Sequence, residues 1–368
     1  MSLTLGIEEE YQIIDPETRQ LASSNEALLR EGVKILGEQI KPEFLQSQVE
    51  VGTRVCQDIQ EARSELVRLR KTVSDLARRQ GLAMAAASTH PISSWSDQEI
   101  TSVDRYRQLE ENLRHVVRRM LIFGMHVHVG IEDPELRIDV MNQARYFLPH
   151  ILAITTSSPF FQGKDTGLKS YRTVIFENMP RSGIPPSFRA FSEYQAFVDT
   201  LIATGCIDEP TKIWWDIRPH PKFPTLEFRV SDVCTRVEEC LCVAALLQAL
   251  VAKLIKLRNH NQSWRSYQHH LIVENKWRAT RYGLNGMLID FGKREEVPVR
   301  HLALELLDLV DDVVDDLGSR AEVEYLRRIV REGSSADRQL ETFRRTGALE
   351  DVVDQLVEES IEGCEDPS

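Results

Sequence analysis

The sequence has no long uninterrupted apolar run and no terminal signal for export. Its most apolar segment, VAALLQALVAKLIKL, spans residues 243–257 and is interrupted by Gln248, Lys253 and Lys256. A membrane-spanning helix needs roughly 20 predominantly apolar residues, so no segment is expected to cross a membrane. The first residues, MSLTLGIEEE, lack the basic region and the apolar region of a signal peptide. These absences predict a cytoplasmic protein that has no membrane partner.

Cysteine is sparse, and positive charge is in deficit. None of the six cysteines forms a CxxC pair, which argues against a structural zinc site and predicts reduced thiols. The formal net charge is −12, so we expect no nucleic-acid partner. That charge does not exclude phosphorylated substrates, because metal ions can bridge groups of like charge. The cysteines are Cys56, Cys206, Cys234, Cys240, Cys242 and Cys364.

Phosphate-binding loops, repeats and linkers are also missing. The chain contains neither a Walker A motif nor a GxGxxG motif, so a nucleotide would have to bind through a metal-rich sheet. The 368 residues show no repeat, low-complexity block or linker. We therefore predict a single domain over residues 1–368, with a sheet-and-helix core at 1–295 and a helical C-terminal extension at 296–368.

Strands and helices are predicted throughout the core. Asp58 and Glu61 form a D-x-x-E capping box, and apolar residues then recur at steps of three and four, which predicts a helix that ends near Gly81. The same kinds of pattern predict the remaining elements. These are strands at 82–89 and 125–130, helices at 104–121, 134–154 and 192–204, a loop region at 157–187, paired strands at 213–219 and 225–232, and mainly helices from residue 236 onward.

Three predicted strands are apolar on one face and carry chemically active side chains on the other. Alternate residues of a strand point to opposite faces, and an antiparallel sheet with one solvated face would explain any one of these strands. Taken together, carboxylates, imidazoles and an arginine favour a metal or catalytic site. The paired side chains are Glu8 and Glu10 in LGIEEEY, His126 and His128 in MHVHVG, and Glu227 and Arg229 in TLEFRVSD.

Metal-dependent phosphoryl transfer is the chemistry that fits such a face. Magnesium and manganese prefer hard oxygen ligands, and manganese tolerates imidazole better than magnesium does. Ions held by neighbouring strands can bind triphosphate oxygens and neutralise charge as a phosphoryl group transfers. Neither E-x-E nor H-x-H is specific alone. Glu9 falls on the opposite face of its strand, where we expect a structural role.

Four motifs in order carry a family resemblance: LGIEEEY, FGMHVHVG, WWDIRPHPKFPTLEFRVSD and ATRYGLNG. Together they resemble the glutamate–cysteine ligase type 2 family, in particular its bacterial carboxylate–amine ligase branch. The resemblance runs from the first residues to about residue 290, and more loosely through the helical tail. It implies an α+β, glutamine synthetase-like fold, in which a curved, mainly antiparallel six-stranded sheet forms a funnel and helices pack outside it.

The resemblance also implies a reaction. ATP phosphorylates a substrate carboxylate, and an amine attacks the acyl phosphate to give an amide, ADP and phosphate, with Mg²⁺ or Mn²⁺ as cofactor. Glutamate and cysteine are the default substrates of the family, and a homo-oligomer is compatible with it. Three other functions stay open: a phosphoryl transferase of the guanidino kinase kind, a non-catalytic nucleotide-binding sensor, and a metal-dependent hydrolase suggested by HVHVG.

The matched motifs assign roles to acidic and imidazole side chains. Glu43 and Glu50, in PEFLQSQVE, match a second acidic pair with the spacing of the family, although relatives often have Asp at the first position. His128 stands where some relatives carry Asn, so no direct role is assigned to it. The implied metal ligands are Glu8, Glu10, Glu43, Glu50, His126 and Glu227.

Five arginines are implied to bind anions. Arg229 would contact the transferring phosphate, and Arg172, in KSYRTVIF, would bind the substrate carboxylate or the phosphate. Arg218 and Arg281 are candidates for substrate binding, although each could equally form a structural ion pair. Arg105, in VDRYRQL, is a weaker candidate.

Overall fold

The computed structural model describes residues 3–23 and 25–364 of the chain. Its strands are β1 (Leu5–Ile14), β2 (Ile40–Pro42), β3 (Gln48–Gly52), β4 (Ala83–Ala85), β5 (Met125–Gly130), β6 (Phe160–Phe161), β7 (Lys164–Asp165), β8 (Ser182–Gly183), β9 (Trp214–Trp215), β10 (Ile217–Pro219), β11 (Thr225–Phe228), β12 (Met287–Asp290) and β13 (Glu295–Pro298). Its α-helices are α1 (Asn25–Leu36), α2 (Ile59–Arg79), α3 (Asp104–Leu113), α4 (His115–Arg118), α5 (Pro134–Ala144), α6 (Leu148–Thr155), α7 (Tyr171–Phe176), α8 (Phe191–Ala203), α9 (Val237–Asn259), α10 (His269–Tyr282), α11 (Val299–Val314), α12 (Arg320–Glu324), α13 (Leu326–Glu332), α14 (Ser335–Thr346) and α15 (Leu349–Ile361).

The main sheet of the described residues has seven strands, and every pairing in it is antiparallel. The strand order is β10-β11-β5-β1-β3-β2, and β4 pairs with the end of β1. Six strands were expected. The seven include β4, which pairs with β1 from Gln12 to Ile14, beyond the stretch of β1 that pairs with β5. The α+β class and the mainly antiparallel sheet are confirmed.

β1 separates a packed face from a polar face, as the alternation predicts. Its odd-numbered residues from Leu5 to Ile13 are buried. Among them, the carboxylate of Glu9 lies 2.8 Å from Nε of Arg70 on α2 and accepts a hydrogen bond of 2.6 Å from the hydroxyl of Tyr11. Arg70 also donates to three backbone carbonyl oxygens. A buried ion pair is tolerated when its remaining polar atoms are satisfied, so Glu9 has the structural role expected of it.

The capping box predicted at α2 is present in a modified form. The carboxylate of Asp58 accepts hydrogen bonds of 2.9 Å from the backbone N–H groups of Gln60 and Glu61. The carboxylate of Glu61 accepts one of 2.8 Å from Gln57, one residue before the cap. α2 therefore begins where the sequence predicts and ends two residues before Gly81.

Several predicted elements are shorter or more broken than expected. The strand at 82–89 is reduced to β4, and the paired strands after residue 213 are reduced to β9, β10 and β11. The helix at 104–121 is interrupted at Arg114, whose φ of 47° cannot continue a right-handed helix. The loop region at 157–187 contains α7, the β6–β7 pair and β8, which pairs with β9. Contacts with distant segments set the lengths of these strands and helices, which the periodicity of apolar residues alone does not determine.

α9 is the central helix of the core. It has 23 residues, and by length and composition it could cross a membrane, but 78% of its most apolar window is buried inside the protein. The expectation that no segment reaches that length is therefore wrong, because the helix begins at Val237, before the apolar segment that the sequence singled out. α9 packs against α2, α5, α11 and α12, as a core helix does.

One hydrophobic cluster includes buried residues from Leu3 to Cys364. The helices after residue 297 contribute to it through α11, α12 and α13. The boundary expected between residues 295 and 296 falls inside β13, which pairs with β12 in a hairpin. These contacts support our proposal that the chain is a single domain.

Candidate active site

A cavity of about 430 Å³ opens on the polar face of the main sheet. Strands β1, β3, β5 and β11 contribute carboxylates and an imidazole, and segments outside the sheet contribute basic and aromatic walls. Most of the side chains that the sequence nominated line this one cavity. They are Glu8, Glu10, Glu43, Glu50, Arg105, His126, Arg172, Arg218, Glu227 and Arg229.

The strand register explains why these side chains meet. Directly opposed residues of antiparallel strands place their side chains on the same face, with Cβ atoms about 4.5–5.5 Å apart. The polar residues of β1, β3, β5 and β11 are opposed in this way. The opposed pairs are Glu8 with His126, Glu10 with Glu50, and Glu227 with His128.

Glu10, Glu43 and Glu50 form the first acidic group. One carboxylate oxygen from each lies within 4.8 Å of the others. Burial and the charge of Glu50 raise the pKa of Glu10 to about 7, and burial with the two neighbouring carboxylates raises the pKa of Glu43 well above its usual value. Lys41 places Nζ 3.2 Å from Glu50. One lysine does not balance three carboxylates, so this group needs either protons or a metal cation.

Glu10 is fixed by two hydrogen bonds to the same carboxylate oxygen. Its Oε2 accepts from the backbone N–H of Gly124 at 2.7 Å and from Nε2 of Gln48 at 2.8 Å. A side chain at Gly124 would collide with the guanidinium of Arg172, because a Cβ there would lie 2.9 Å from its Nη2. Glycine at this position therefore lets Arg172 approach the acidic group.

Glu8 lies between two imidazoles. Nδ1 of His126 is 3.0 Å from Oε2 of Glu8, and Nε2 of His128 is 3.7 Å from the same oxygen. Burial and the charge of Arg229 lower the pKa of His126 to about 4. Glu8, His128 and Glu227 form the second group whose ligand atoms lie within 4.8 Å of one another.

Glu227 is held by two arginines. Nε of Arg218 lies 2.7 Å from Oε2, and Arg229 bonds to Oε1 through Nη1. Although burial opposes the charged form, Arg229 and Arg218 hold the pKa of Glu227 below its usual value. The carboxylate is therefore ionised and fixed in orientation at neutral pH.

Arg172 and Arg229 are buried cations with unused donors. The Nε atoms of both are buried and have no hydrogen-bond partner among the described residues. The guanidinium of Arg172 lies over the ring of Phe176 at 5.4 Å, and burial lowers its pKa. Buried donors without partners are costly, and an anion bound in the cavity would satisfy them.

The other predicted arginines differ in position and in partners. Arg218 lines the cavity, but its guanidinium bonds to Glu227 and to the carbonyl oxygens of Thr211 and Ile213. These contacts match the alternative in which Arg218 forms a structural ion pair. Arg105 lines the cavity and is exposed.

Arg281 does not line the cavity. Its guanidinium donates to the carbonyl oxygen of Gly167 and lies 5.0 Å from the ring of Tyr282. The substrate-binding role expected for Arg281 therefore stays a prediction. The residue lies in the last turn of α10.

Sequence reasoning missed Gln48 and Gly124. It placed His128 on the same face as His126 through the alternation in MHVHVG, but assigned it no direct role. Gln48 begins β3 and shares its polar face with Glu50. Gly124 could not be found, because its role depends on the approach of Arg172 from α7, which is distant in the sequence.

The donor sets fit divalent metal ions. Three carboxylates gathered in a half-buried position are a costly arrangement that a hard cation stabilises. The second group adds Nε2 of His128, which is buried and has no hydrogen-bond partner in the part of the chain that the structure describes, and such a nitrogen suits a metal ion better than it suits solvent. The residues that would hold the ions are therefore Glu10, Glu43 and Glu50 in one group, and Glu8 and Glu227 with a histidine in the other.

Comparison with known proteins shows the family to which the chain belongs. The profile of Glutamate-cysteine ligase family 2 (GCS2) matches residues 4–355. The chain belongs to that family. It is 58% identical over 360 residues to a protein of Roseiflexus castenholzii, and 57% identical over 362 residues to one of Chloroflexus aggregans. Each alignment covers 98% of this chain and 95% or 93% of the relative, and both relatives are provisionally named glutamate–cysteine ligase 2.

Solved structures of low sequence identity share the fold of this family member. Glutamate–cysteine ligase of Francisella tularensis, in complex with AMP, superposes with a TM-score of 0.71 at 16% identity and covers 99% of this chain and 89% of that one. A bifunctional glutathione synthetase of Pasteurella multocida superposes with a TM-score of 0.67 at 14% identity, over 98% of this chain and 52% of that one. The fold class expected from the sequence is thus confirmed.

Proposed function

We propose that this ATP-dependent carboxylate–amine ligase joins glutamate to cysteine through an acyl phosphate. Membership in the family over residues 4–355 supports the ligase reaction, and the Francisella tularensis structure was solved with AMP. The choice of glutamate and cysteine rests on the names of the relatives. A cytoplasmic location and the absence of a nucleic-acid partner belong to the same proposal.

The proposed reaction has two steps. An oxygen of the substrate carboxylate attacks the γ-phosphorus of ATP, the bond to the bridging oxygen breaks, and ADP leaves. The amine nitrogen, after it has lost a proton to solvent, attacks the carbonyl carbon, and phosphate leaves with its electron pair while the nitrogen loses a second proton. Phosphorylation is needed because a carboxylate is a poor electrophile with a poor leaving group. Bound Mg²⁺ or Mn²⁺ would neutralise the charge of the triphosphate.

Two arginines would position the reacting anions. Arg229 is fixed through Glu227 and lies at the end of β11, so its free donors would bind the transferring phosphoryl group. Arg172 approaches from α7 and would bind the substrate carboxylate or the phosphate. Holding both anions in contact is the main task in phosphoryl transfer, because little covalent chemistry is left for the protein.

One observation carries this proposal: carboxylates that need cations and guanidinium groups that need anions line the same cavity. Burial and neighbouring carboxylates raise the pKa of Glu10 and Glu43, and Arg172 and Arg229 have buried donors without partners among residues 3–23 and 25–364. A metal–nucleotide complex together with a carboxylate substrate would satisfy both needs. A water-activating hydrolase would not need the two unsatisfied arginines.

The test is product detection with purified protein, ATP and Mg²⁺ across a panel of amino acids and amines. The proposal predicts ADP, phosphate and γ-glutamylcysteine in equal amounts, identified by mass spectrometry. A phosphorylated guanidine without any amide would support the guanidino kinase alternative. Nucleotide binding without turnover for any pair would support the non-catalytic sensor, which the complete acidic set argues against.

A further inference from the structure

Asp232 is a fully buried carboxylate that follows β11 and has no assigned part in the proposed reaction. Burying a carboxylate is costly unless hydrogen bonds satisfy its oxygens. Oδ2 accepts from the backbone N–H of Ser157 at 2.9 Å and from the hydroxyl of Ser158 at 2.7 Å. Oδ1 accepts from the hydroxyl of Ser170 at 2.8 Å. Three donors from two other segments of the chain therefore converge on this one side chain.

Two of these serines connect Asp232 to Arg172. The hydroxyl of Ser158 also accepts from the backbone N–H of Arg172 at 3.1 Å. The hydroxyl of Ser170 lies 2.8 Å from that of Thr173. Ser170 directly precedes α7, and Arg172 and Thr173 lie in the first turn of that helix. The carboxylate of Asp232 therefore fixes the start of α7, and with it the backbone from which the guanidinium of Arg172 extends.

Asp232 also supplies negative charge near the guanidinium without occupying its donors. The backbone of Asp232 forms an isolated antiparallel bridge with Gly124, the glycine that leaves room for Arg172. Burial lowers the pKa of Arg172, and the charge of Asp232 opposes that shift more than any other carboxylate does. The oxygens of Asp232 bond to the serines, and Nε of Arg172 has no partner in the described part of the chain.

We propose that Asp232 is a positioning residue of the ligase, which holds Arg172 with its donors free for the substrate carboxylate. Arg218 shows the contrasting arrangement, because Glu227 binds its guanidinium directly. The inference rests on the proposed function and deepens it: it assigns the substrate carboxylate to Arg172 and makes its binding depend on a residue outside the cavity lining. A misplacement of about 1 Å in such a contact can cost about 10² in rate.

Replacement of Asp232 should change the use of the acid more than the binding of ATP. Asp232→Ala removes the acceptor of all three donors, so we expect the KM for glutamate to rise about tenfold or more, with ATP affinity by calorimetry little changed. Asp232→Asn can accept through its amide oxygen and donate to Ser170 through its amide nitrogen, so it should restore most of the affinity for glutamate. Equal KM values for the two variants would overturn the proposed hydrogen-bond relay.

A matched control separates positioning from general support of the fold. Asp290→Ala removes a carboxylate that accepts from two backbone N–H groups outside the cavity lining, and it should keep the wild-type KM for glutamate. A lower kcat with an unchanged KM in folded Asp232→Ala would overturn the proposal. Ser158→Ala is the milder variant if Asp232→Ala does not fold, because it breaks the link to the backbone of Arg172. An unchanged KM in Ser158→Ala would likewise overturn the proposal.

A double-mutant cycle tests whether Asp232 acts through Arg172. Groups that act through one contact are not additive, so Asp232→Ala should raise the KM of the wild type and leave that of Arg172→Ala unchanged. The same rise in both backgrounds would show that Asp232 supports the site by another route, and would overturn the proposal.

Crystal structures of Asp232→Ala and Asp232→Asn test the inference without turnover. The guanidinium of Arg172 should be displaced by about 1 Å or more in Asp232→Ala and should keep its place in Asp232→Asn. An unmoved guanidinium in Asp232→Ala would overturn the proposal. These structures need neither ATP nor glutamate, and amide formation by the wild type is assayed separately. A failure of this inference and a failure of the ligase proposal are therefore distinguishable.

Discussion

Arg218 and Glu227 face each other across β10 and β11, with Nε of the arginine 2.7 Å from Oε2 of the glutamate. The same guanidinium donates to the carbonyl oxygens of Thr211 and Ile213. Protein groups therefore occupy donors that would otherwise bind a substrate anion. Arg218 holds the carboxylate of Glu227 in place, and Glu227 in turn holds Arg229 through Nη1.

Arg218→Lys should disturb the cavity through Glu227. Lysine keeps the charge but cannot reach the carboxylate and both carbonyl oxygens, so buried acceptors lose their partners. We expect a stability loss of about 1–3 kcal/mol and a shift of turnover to higher Mg²⁺ concentration. Melting curves and rate against Mg²⁺ measure both effects. Arg281→Lys, outside the cavity, is the control, and equal behaviour of the two variants would contradict the role of Arg218.

Glu227→Gln and Arg229→Lys should separate metal binding from phosphate binding. The glutamine keeps the size of the side chain but loses the charge, whereas the lysine keeps the charge but loses the planar fork. We expect both variants to fold and each to lose about 10²–10³ in turnover. Only Glu227→Gln should need more Mg²⁺. Near-normal turnover in both variants would indicate an ordinary ion pair on a solvated sheet, worth about 1 kcal/mol or less.

Arg172→Ala should impair use of the carboxylate substrate while ATP still binds. The change removes a buried guanidinium whose Nε has no partner among the described residues, and with it a potential bidentate contact to an anion. The expected result is a higher KM for the acid or a lower rate of acyl-phosphate formation, with ATP affinity by calorimetry little changed. Arg281→Ala, which removes an arginine outside the cavity lining, is the matched control. Unchanged kinetics in Arg172→Ala would show that this residue does not take part in substrate binding or acyl-phosphate formation.

Most of the acidic site could be predicted from the sequence because strand alternation is a local property. Glu8 and Glu10 are two residues apart, and so are Glu227 and Arg229, so each pair had to share a face. The same rule places Glu9 on the face of β1 opposite to the face that carries Glu8. The cross-strand register that brings Glu10 to Glu50 is not local, and only the family resemblance nominated Glu50.

The parts that failed depend on contacts between distant segments. The break at Arg114 and the approach of Arg172 to Gly124 are set by packing that no window of the sequence reveals. The role of Arg218 was left open for the same reason, since an ion pair and an anion site have identical sequence signatures. A matched motif fixes the position of Arg281 in the chain but does not fix the direction of its side chain, so its absence from the cavity lining could not be foreseen.

Acid should destabilise the fold partly through His90, which lies outside the cavity lining. Nδ1 of His90 accepts from the backbone N–H groups of Ile92 and Ser93 at 3.2 and 3.0 Å, and burial lowers its pKa from 6.5 to about 3. The unfolded chain binds the proton first, so this contribution is complete above pH 6.5 and is lost progressively as the pH falls towards 3.

The measurement is unfolding free energy against pH for the wild type and for His90→Gln. The variant should be less stable at neutral pH, because glutamine reproduces the turn contacts imperfectly, and should lose less stability between pH 6.5 and 4. Parallel curves for the two proteins would show that His90 does not titrate in this way.

Oxygen tracing tests the central claim, the acyl phosphate, most directly. The enzyme is supplied with ATP, Mg²⁺, cysteine and glutamate carrying ¹⁸O in its side-chain carboxylate, and the released phosphate is analysed by mass spectrometry. The account predicts one ¹⁸O atom transferred to each phosphate in step with amide formation, because the carboxylate oxygen that attacks the γ-phosphorus leaves with it. Phosphate released without ¹⁸O while amide accumulates would contradict it.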